Sequence, residues 1–287
     1  MFIKRLCSTI VLLGIFSCII FGTPIVSKIS FFLLGAVISF FLPFETCNML
    51  KSAGKKVFVK YTSFVSLFFF LFNAGTMFIL DGDYETLKYY VLFGGVITAL
   101  FLLILPWILL LFIIGKEGGL ERILNSYGIL LLFIPALFSI SLIYFFDVKL
   151  FLFFVIGTKI GDIGAYIIGV STHKLMKNGN HKMIPSISPG KSWEGAAGGL
   201  LFSIVFAVSM YRYAFIEPIY GIWFPIMIGT ILFVFGAAGD LAESCIKRTC
   251  GIKDSGHTIP GIGGVFDLAD SLLLNSVIFT FILLLFG

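Results

Sequence analysis

Nine apolar stretches, most of them long enough to cross a bilayer as a helix, divide the sequence almost from end to end. They run at about 6–26, 29–43, 61–80, 89–114, 123–146, 150–170, 196–215, 219–240 and 266–286. The hydrocarbon core of a bilayer calls for roughly 17–25 apolar residues per helical span. Inside it, unpaired backbone N–H and C=O groups are too costly to tolerate, so spanning segments must satisfy them internally. The predicted fold class is therefore all-α, a polytopic membrane protein with about nine transmembrane helices. The second stretch is short and is predicted to end at Pro43; Pro106 is expected to kink the fourth. The first follows Lys4-Arg5 but lacks a small-residue cleavage site, and is read as a retained helix.

Composition agrees. Of 287 residues, 59% are hydrophobic, 12% are charged and 35 are Phe, whereas a soluble domain carries roughly 25% charged residues. That excludes an ordinary cytosolic enzyme, a disordered chain and a nucleic-acid binder. The net charge of +5 is better explained by topology. With the N-terminus inside, fifteen Lys and Arg fall in cytoplasmic segments and four (Lys28, Lys88, Lys149 and Arg212) fall outside, with Lys159 within a span. Basic residues are retained on the cytoplasmic side. The acidic loop Asp81-Gly82-Asp83-Tyr84-Glu85 falls outside. The five Cys form no CxxC pair and are read as reduced thiols.

Chain 1–287 is expected to be a single membrane unit, with 1–150 mainly scaffold and 151–287 the catalytic half. Ionisable residues within spans cost on the order of 2.5–3.5 kcal/mol each and so point to function. Lys159 and Asp162, three apart, share a helix face; the alternative is an ion pair that only pins helices. Asp240, Glu243 and Lys247 share another face at a helix end, where two carboxylates one turn apart suit a hard divalent cation such as Mg²⁺. The loop from Lys253 to Gly264 runs into the last helix, and the N–H groups of Gly261 to Gly264 are predicted to form an anion nest. Asp267 and Asp270 follow one turn apart. In Ser188-Pro189-Gly190-Lys191-Ser192-Trp193-Glu194-Gly195, the Gly-Lys-Ser is not a P-loop, because Pro185 stands where the first Gly is needed. It offers Lys191 to an anion, with Ser192 a candidate helix cap. His257 lies in the glycine loop within reach of a phosphate.

Together these segments resemble the phosphatidate cytidylyltransferases. The resemblance is carried by Ser244-Cys245-Ile246-Lys247-Arg248, Lys253-Asp254-Ser255-Gly256, Pro260-Gly261, Gly263-Gly264 and Asp267-x-x-Asp270-Ser271. Ser188–Gly195, Asp162-x-Gly164-Ala165-Tyr166 and the weaker Pro43-Phe44-Glu45 support it. It departs at Ile262, where the family usually has His, and at Leu268, where it usually has Arg; His257 is the expected stand-in. The resemblance implies transfer of CMP from CTP to phosphatidic acid on Mg²⁺, with a second cation and a homodimer left open. It implies Asp240 and Asp267 as metal ligands with Glu243 and Asp270 beside them. Lys253, Asp254, Lys247 and Arg248 would serve the reacting phosphates. Lys191, Ser192, Asp162, His257 and the three loop glycines would contact substrate. The partners implied are CTP, phosphatidic acid and membrane lipids, at the cytoplasmic face of a bacterial inner membrane. Two rivals stay open: a related CTP-dependent lipid enzyme such as a prenol kinase, and a cation or lipid transporter using the intramembrane charges.

Overall fold

The computed structural model describes residues 2–80, 84–113, 117–176, 179–215, 221–261 and 263–286; residues 81–83 of the acidic loop, Lys116, Lys177 and Ile262 lie outside the described residues. Among the described residues there are nine α-helices: α1 (Phe2–Phe21), α2 (Pro24–Ser52), α3 (Val59–Leu80), α4 (Tyr84–Ile113), α5 (Gly119–Phe146), α6 (Val148–Leu175), α7 (Trp193–Ala214), α8 (Trp223–Thr249) and α9 (Val265–Phe286). Eight are long and apolar enough to cross a membrane, and α1 is a ninth apolar helix, shorter over Arg5–Phe21. The chain is a polytopic all-α membrane protein. One small exception, absent from the sequence-based expectation, is an antiparallel hairpin of β1 (Lys182–Ile184) and β2 (Ser188–Ser192).

The helix expected to stop at Pro43 continues to Ser52, with Pro43 in its interior. The polar residues after the proline, Glu45, Thr46 and Cys47, are buried against protein. Loss of apolarity there marks departure from lipid contact, not the end of the helix. Membrane helices tolerate such prolines because neighbouring groups satisfy the backbone.

The chain divides into two compact units, residues 1–146 with 249–268, and residues 147–248 with 269–287. In the first, α2 packs on α1, α3 and α5, and α5 also on α3 and α4. Phe31 stacks on Tyr144 at a centroid distance of 3.9 Å, and the Tyr144 hydroxyl is 2.7 Å from Ser27 Oγ. A buried cluster of Phe69, Leu102, Leu105, Leu130 and Ile134 ties α3, α4 and α5.

In the second unit close approach replaces bulk. Gly157, Gly161 and Gly164 recur at spacings of four and three on α6 and are all buried. A Cβ at Gly161 would fall 2.7 Å from Ser203 Oγ, and one at Gly164 2.6 Å from Phe202 Cβ, both on α7. On α8, a Cβ at Gly229 would fall 2.7 Å from the Ser203 carbonyl oxygen. Lipid tails are as apolar as leucine, so helices in a membrane associate through such small-residue contacts and through interhelical hydrogen bonds. Asn275 supplies the latter. Fully buried on α9, it donates to Leu232 O on α8 at 2.7 Å and to Thr158 Oγ1 on α6 at 3.1 Å.

Candidate active site

The second unit gathers three acids. Asp240 and Glu243 lie one turn apart near the C-terminal end of α8, and Asp270 lies in the second turn of α9. One oxygen from each falls within 4.8 Å of the others, a spacing that a single metal ion can bridge. Glycine makes the approach possible, since a Cβ at Gly239 would lie 2.6 Å from the Asp270 carbonyl oxygen. Three anions this close repel one another unless positive charge intervenes. Each has a lysine. Lys191 Nζ is 2.8 Å from Asp240 Oδ2, Lys247 Nζ is 2.7 Å from Glu243 Oε2, and Lys159 Nζ is 3.7 Å from Asp270 Oδ1. Lys159 is also 3.7 Å from Asp162 Oδ2 and donates to Ser271 Oγ at 2.7 Å. The all-oxygen carboxylate set fits a hard cation such as Mg²⁺ better than a soft metal.

The hairpin delivers Lys191. Ser192 at its end caps α7, its hydroxyl accepting from Gly195 N at 3.1 Å and from Asn180 Nδ2 at 3.2 Å. His181 N and its ring Nδ1 both contact Glu194, the ring at 2.6 Å. Arg248 Nε donates to Ile187 O at 3.3 Å, tying α8 to the hairpin. Ser192→Ala should therefore lower stability by about 1 kcal/mol, the usual cost of a lost N-cap. A thermal melt in detergent reads this; an unchanged midpoint would show that the cap is idle.

The first unit holds the segment 249–264 and the start of α9. Gly264 N donates to Asp267 Oδ2 at 2.8 Å, and Ser255 N to the same carboxylate oxygen at 3.2 Å. An acid at the third helical position reaching back to the cap N–H is one half of a capping box. Glu45, only 4% exposed, adds a second carboxylate by accepting from Phe266 N at 3.1 Å. Ile259 and Gly263 exchange backbone hydrogen bonds of 3.0 and 3.1 Å, with Gly261 and Gly263 at φ of +80° and +136°, where glycine is favoured.

The anion nest expected at Gly261 to Gly264 thus has a different form. Gly263 N and Gly264 N donate inward, to Ile259 O and Asp267. Two carboxylates already serve the helix N-terminus that was expected to attract a phosphate. Lys253, Asp254 and His257 are exposed in this segment.

A profile described as the cytidylyltransferase family matches residues 3–286. The chain belongs to the cytidylyltransferase family. A Staphylococcus epidermidis protein named phosphatidate cytidylyltransferase is 39% identical over 142 residues, covering 47% of this chain and 51% of that protein. A protein of the same name from Staphylococcus haemolyticus is 44% identical over 112 residues, covering 39% of this chain and 40% of that protein. A third, from Staphylococcus aureus, is 42% identical over 112 residues. The chain spans about half the length of the curated relatives it matches.

In this family member the acids that the second unit brings together are Asp240, Glu243 and Asp270. Asp267, read from the sequence as a metal ligand, accepts two backbone N–H groups in the first unit. Lys191 and Lys247 stand directly on two of the three acids, and Asp162 reaches Ser271 Oγ at 3.3 Å. Two residues outside the predicted site are engaged. Lys159 contacts Asp270, and Glu45 holds the first turn of α9. Lysine within a span flagged the first; the bond of Glu45 to a residue 221 positions away has no signal in a single sequence.

Proposed function

We propose that this family member is a phosphatidate cytidylyltransferase, transferring CMP from CTP to phosphatidic acid and releasing pyrophosphate. The observation that carries this is the group Asp240, Glu243 and Asp270, each beside a lysine, in a family whose chemistry joins a nucleotide to a phosphate. The name shared by the staphylococcal relatives supports the choice of lipid. An oxygen of the lipid phosphate attacks the α-phosphorus of CTP; the bond from that phosphorus to the bridging oxygen breaks, and pyrophosphate leaves with the electron pair. The attacking phosphate is already an anion at neutral pH, so no strong general base is needed. The difficulty is repulsion between nucleophile and triphosphate.

Asp240, Glu243 and Asp270 would hold Mg²⁺, which when bound neutralises phosphate oxygens and orients them. Asp267, one turn before Asp270, is a proposed further ligand on the strength of the signature alone. Lys191, Lys247 and Arg248 would contact phosphate oxygens at the acid cluster. Roles for Lys253, Asp254, His257 and Gly261 at phosphate, and for Ser192 and Asp162 at substrate, rest on the same signature, while Gly263 and Gly264 shape the loop through their inward hydrogen bonds. Preorganised positive charge of this kind lowers the barrier where negative charge accumulates. The lysine-rich segments support a site on the cytoplasmic side, and we propose that the membrane is a bacterial inner membrane.

Purified protein given α-labelled CTP and phosphatidic acid should move label into lipid only with Mg²⁺. Transfer of label into lipid from γ-labelled CTP, with none from α-labelled CTP, would make the chain a lipid kinase. Flux across sealed vesicles without nucleotide consumption would make it a transporter.

A further inference from the structure

We propose that Lys159 is a counter-charge that keeps the acid cluster from holding a divalent cation on its own, so that the cation is retained only in company with the nucleotide phosphates. This rests on the proposal that Asp240, Glu243 and Asp270 bind the cation. Lys191 and Lys247 make direct contacts of 2.8 and 2.7 Å with their acids. Lys159 is placed differently. Its hydrogen bond goes to a neutral hydroxyl, Ser271 Oγ at 2.7 Å, and it stands 3.7 Å from both Asp270 and Asp162. Its side chain is one-third exposed, so it is not sealed into the helix packing.

The charge arithmetic gives this placement a consequence. Asp162, Asp240, Glu243 and Asp270 carry four negative charges, and Lys159, Lys191 and Lys247 carry three positive ones. The cluster is nearly neutral, and a bare divalent cation on Asp270 would face the Lys159 ammonium at close range. Like charges a few Å apart are strongly unfavourable where water is scarce. A triphosphate arriving with the cation reverses this, because Lys159 can then pair with a phosphate oxygen. Cation and nucleotide should therefore bind cooperatively, and by linkage each raises the affinity of the other by the same factor.

The test is Mn²⁺ binding to the purified full chain in detergent, followed by loss of the free-ion electron paramagnetic resonance signal, with and without CTP and with no lipid acceptor. Wild type should bind Mn²⁺ weakly alone and much more tightly with CTP. Lys159→Gln should bind Mn²⁺ alone about tenfold more tightly, and the gain from CTP should shrink by a similar factor. Lys159→Arg, which keeps the charge, should resemble wild type. A purely structural role for Lys159 predicts no such tightening. Lys159→Met removes the same charge and serves if the Gln variant does not fold. If neither neutral variant binds Mn²⁺ more tightly than wild type while Asp270→Asn weakens binding, the role of Lys159 is overturned and the cation site stands. If Asp270→Asn leaves Mn²⁺ binding unchanged, the cation site itself is overturned, and this role for Lys159 with it.

Discussion

Asp270→Asn is expected to lower Mg²⁺-dependent transfer of CMP by about 10²–10³-fold, the range found when one preorganised electrostatic group is removed from an active site. The substitution keeps the shape of the side chain and an oxygen able to accept from Ser271 N, a bond of 2.6 Å in the present structure. It removes one of three mutually repelling charges, so it should not weaken the fold, and Lys159 retains Asp162 as a partner. Transfer of label from α-labelled CTP, measured with a thermal melt of the same preparation, separates the two effects. Near-wild-type turnover in the folded variant would remove Asp270 from the cation site.

Gly239→Ala should damage both stability and activity. The new methyl group would lie 2.6 Å from the Asp270 carbonyl oxygen and 3.3 Å from Ser271 Cα. Both are backbone atoms that cannot rotate away, so α8 and α9 must separate. Overpacking of this kind typically costs about 1–3 kcal/mol. The displaced segment carries Asp240 on one side and Asp270 on the other, so the acids lose their spacing as well, and excess Mg²⁺ should not restore full turnover. Gly190→Ala is the stability control, since a Cβ there meets nothing within 4 Å. Equal melting midpoints for the two variants would show that the helices tolerate the methyl group.

The membrane helices were legible because hydropathy over some twenty residues records the solvent, and lipid imposes the same demand on every span. Legibility failed where protein replaced lipid. Residues 44–52 continue α2 although their sequence turns polar, because Glu45, Thr46, Cys47 and Met49 are buried among other helices. The hairpin 182–192 gives little pattern, being short, rich in Pro, Ser and Gly, and fixed by the contacts of His181 and Arg248.

The acids show the same divide. Helical spacing put Asp240 with Glu243 and Asp267 with Asp270. It could not say that Asp270 would join the first pair, because that depends on packing between helices. One local clue was available. Gly264 followed three residues later by Asp267 fits the reach-back half of a capping box, and Asp267 does accept from Gly264 N. The pairing of Lys159 with Asp270, across 111 residues, had no such clue.

The most direct measurement is anomalous diffraction from crystals of the full chain grown with Mn²⁺ and a CTP analogue that cannot transfer its nucleotidyl group. The account predicts a manganese peak among the carboxylates of Asp240, Glu243 and Asp270. A bound analogue with its manganese held elsewhere and these three carboxylates uninvolved would contradict it.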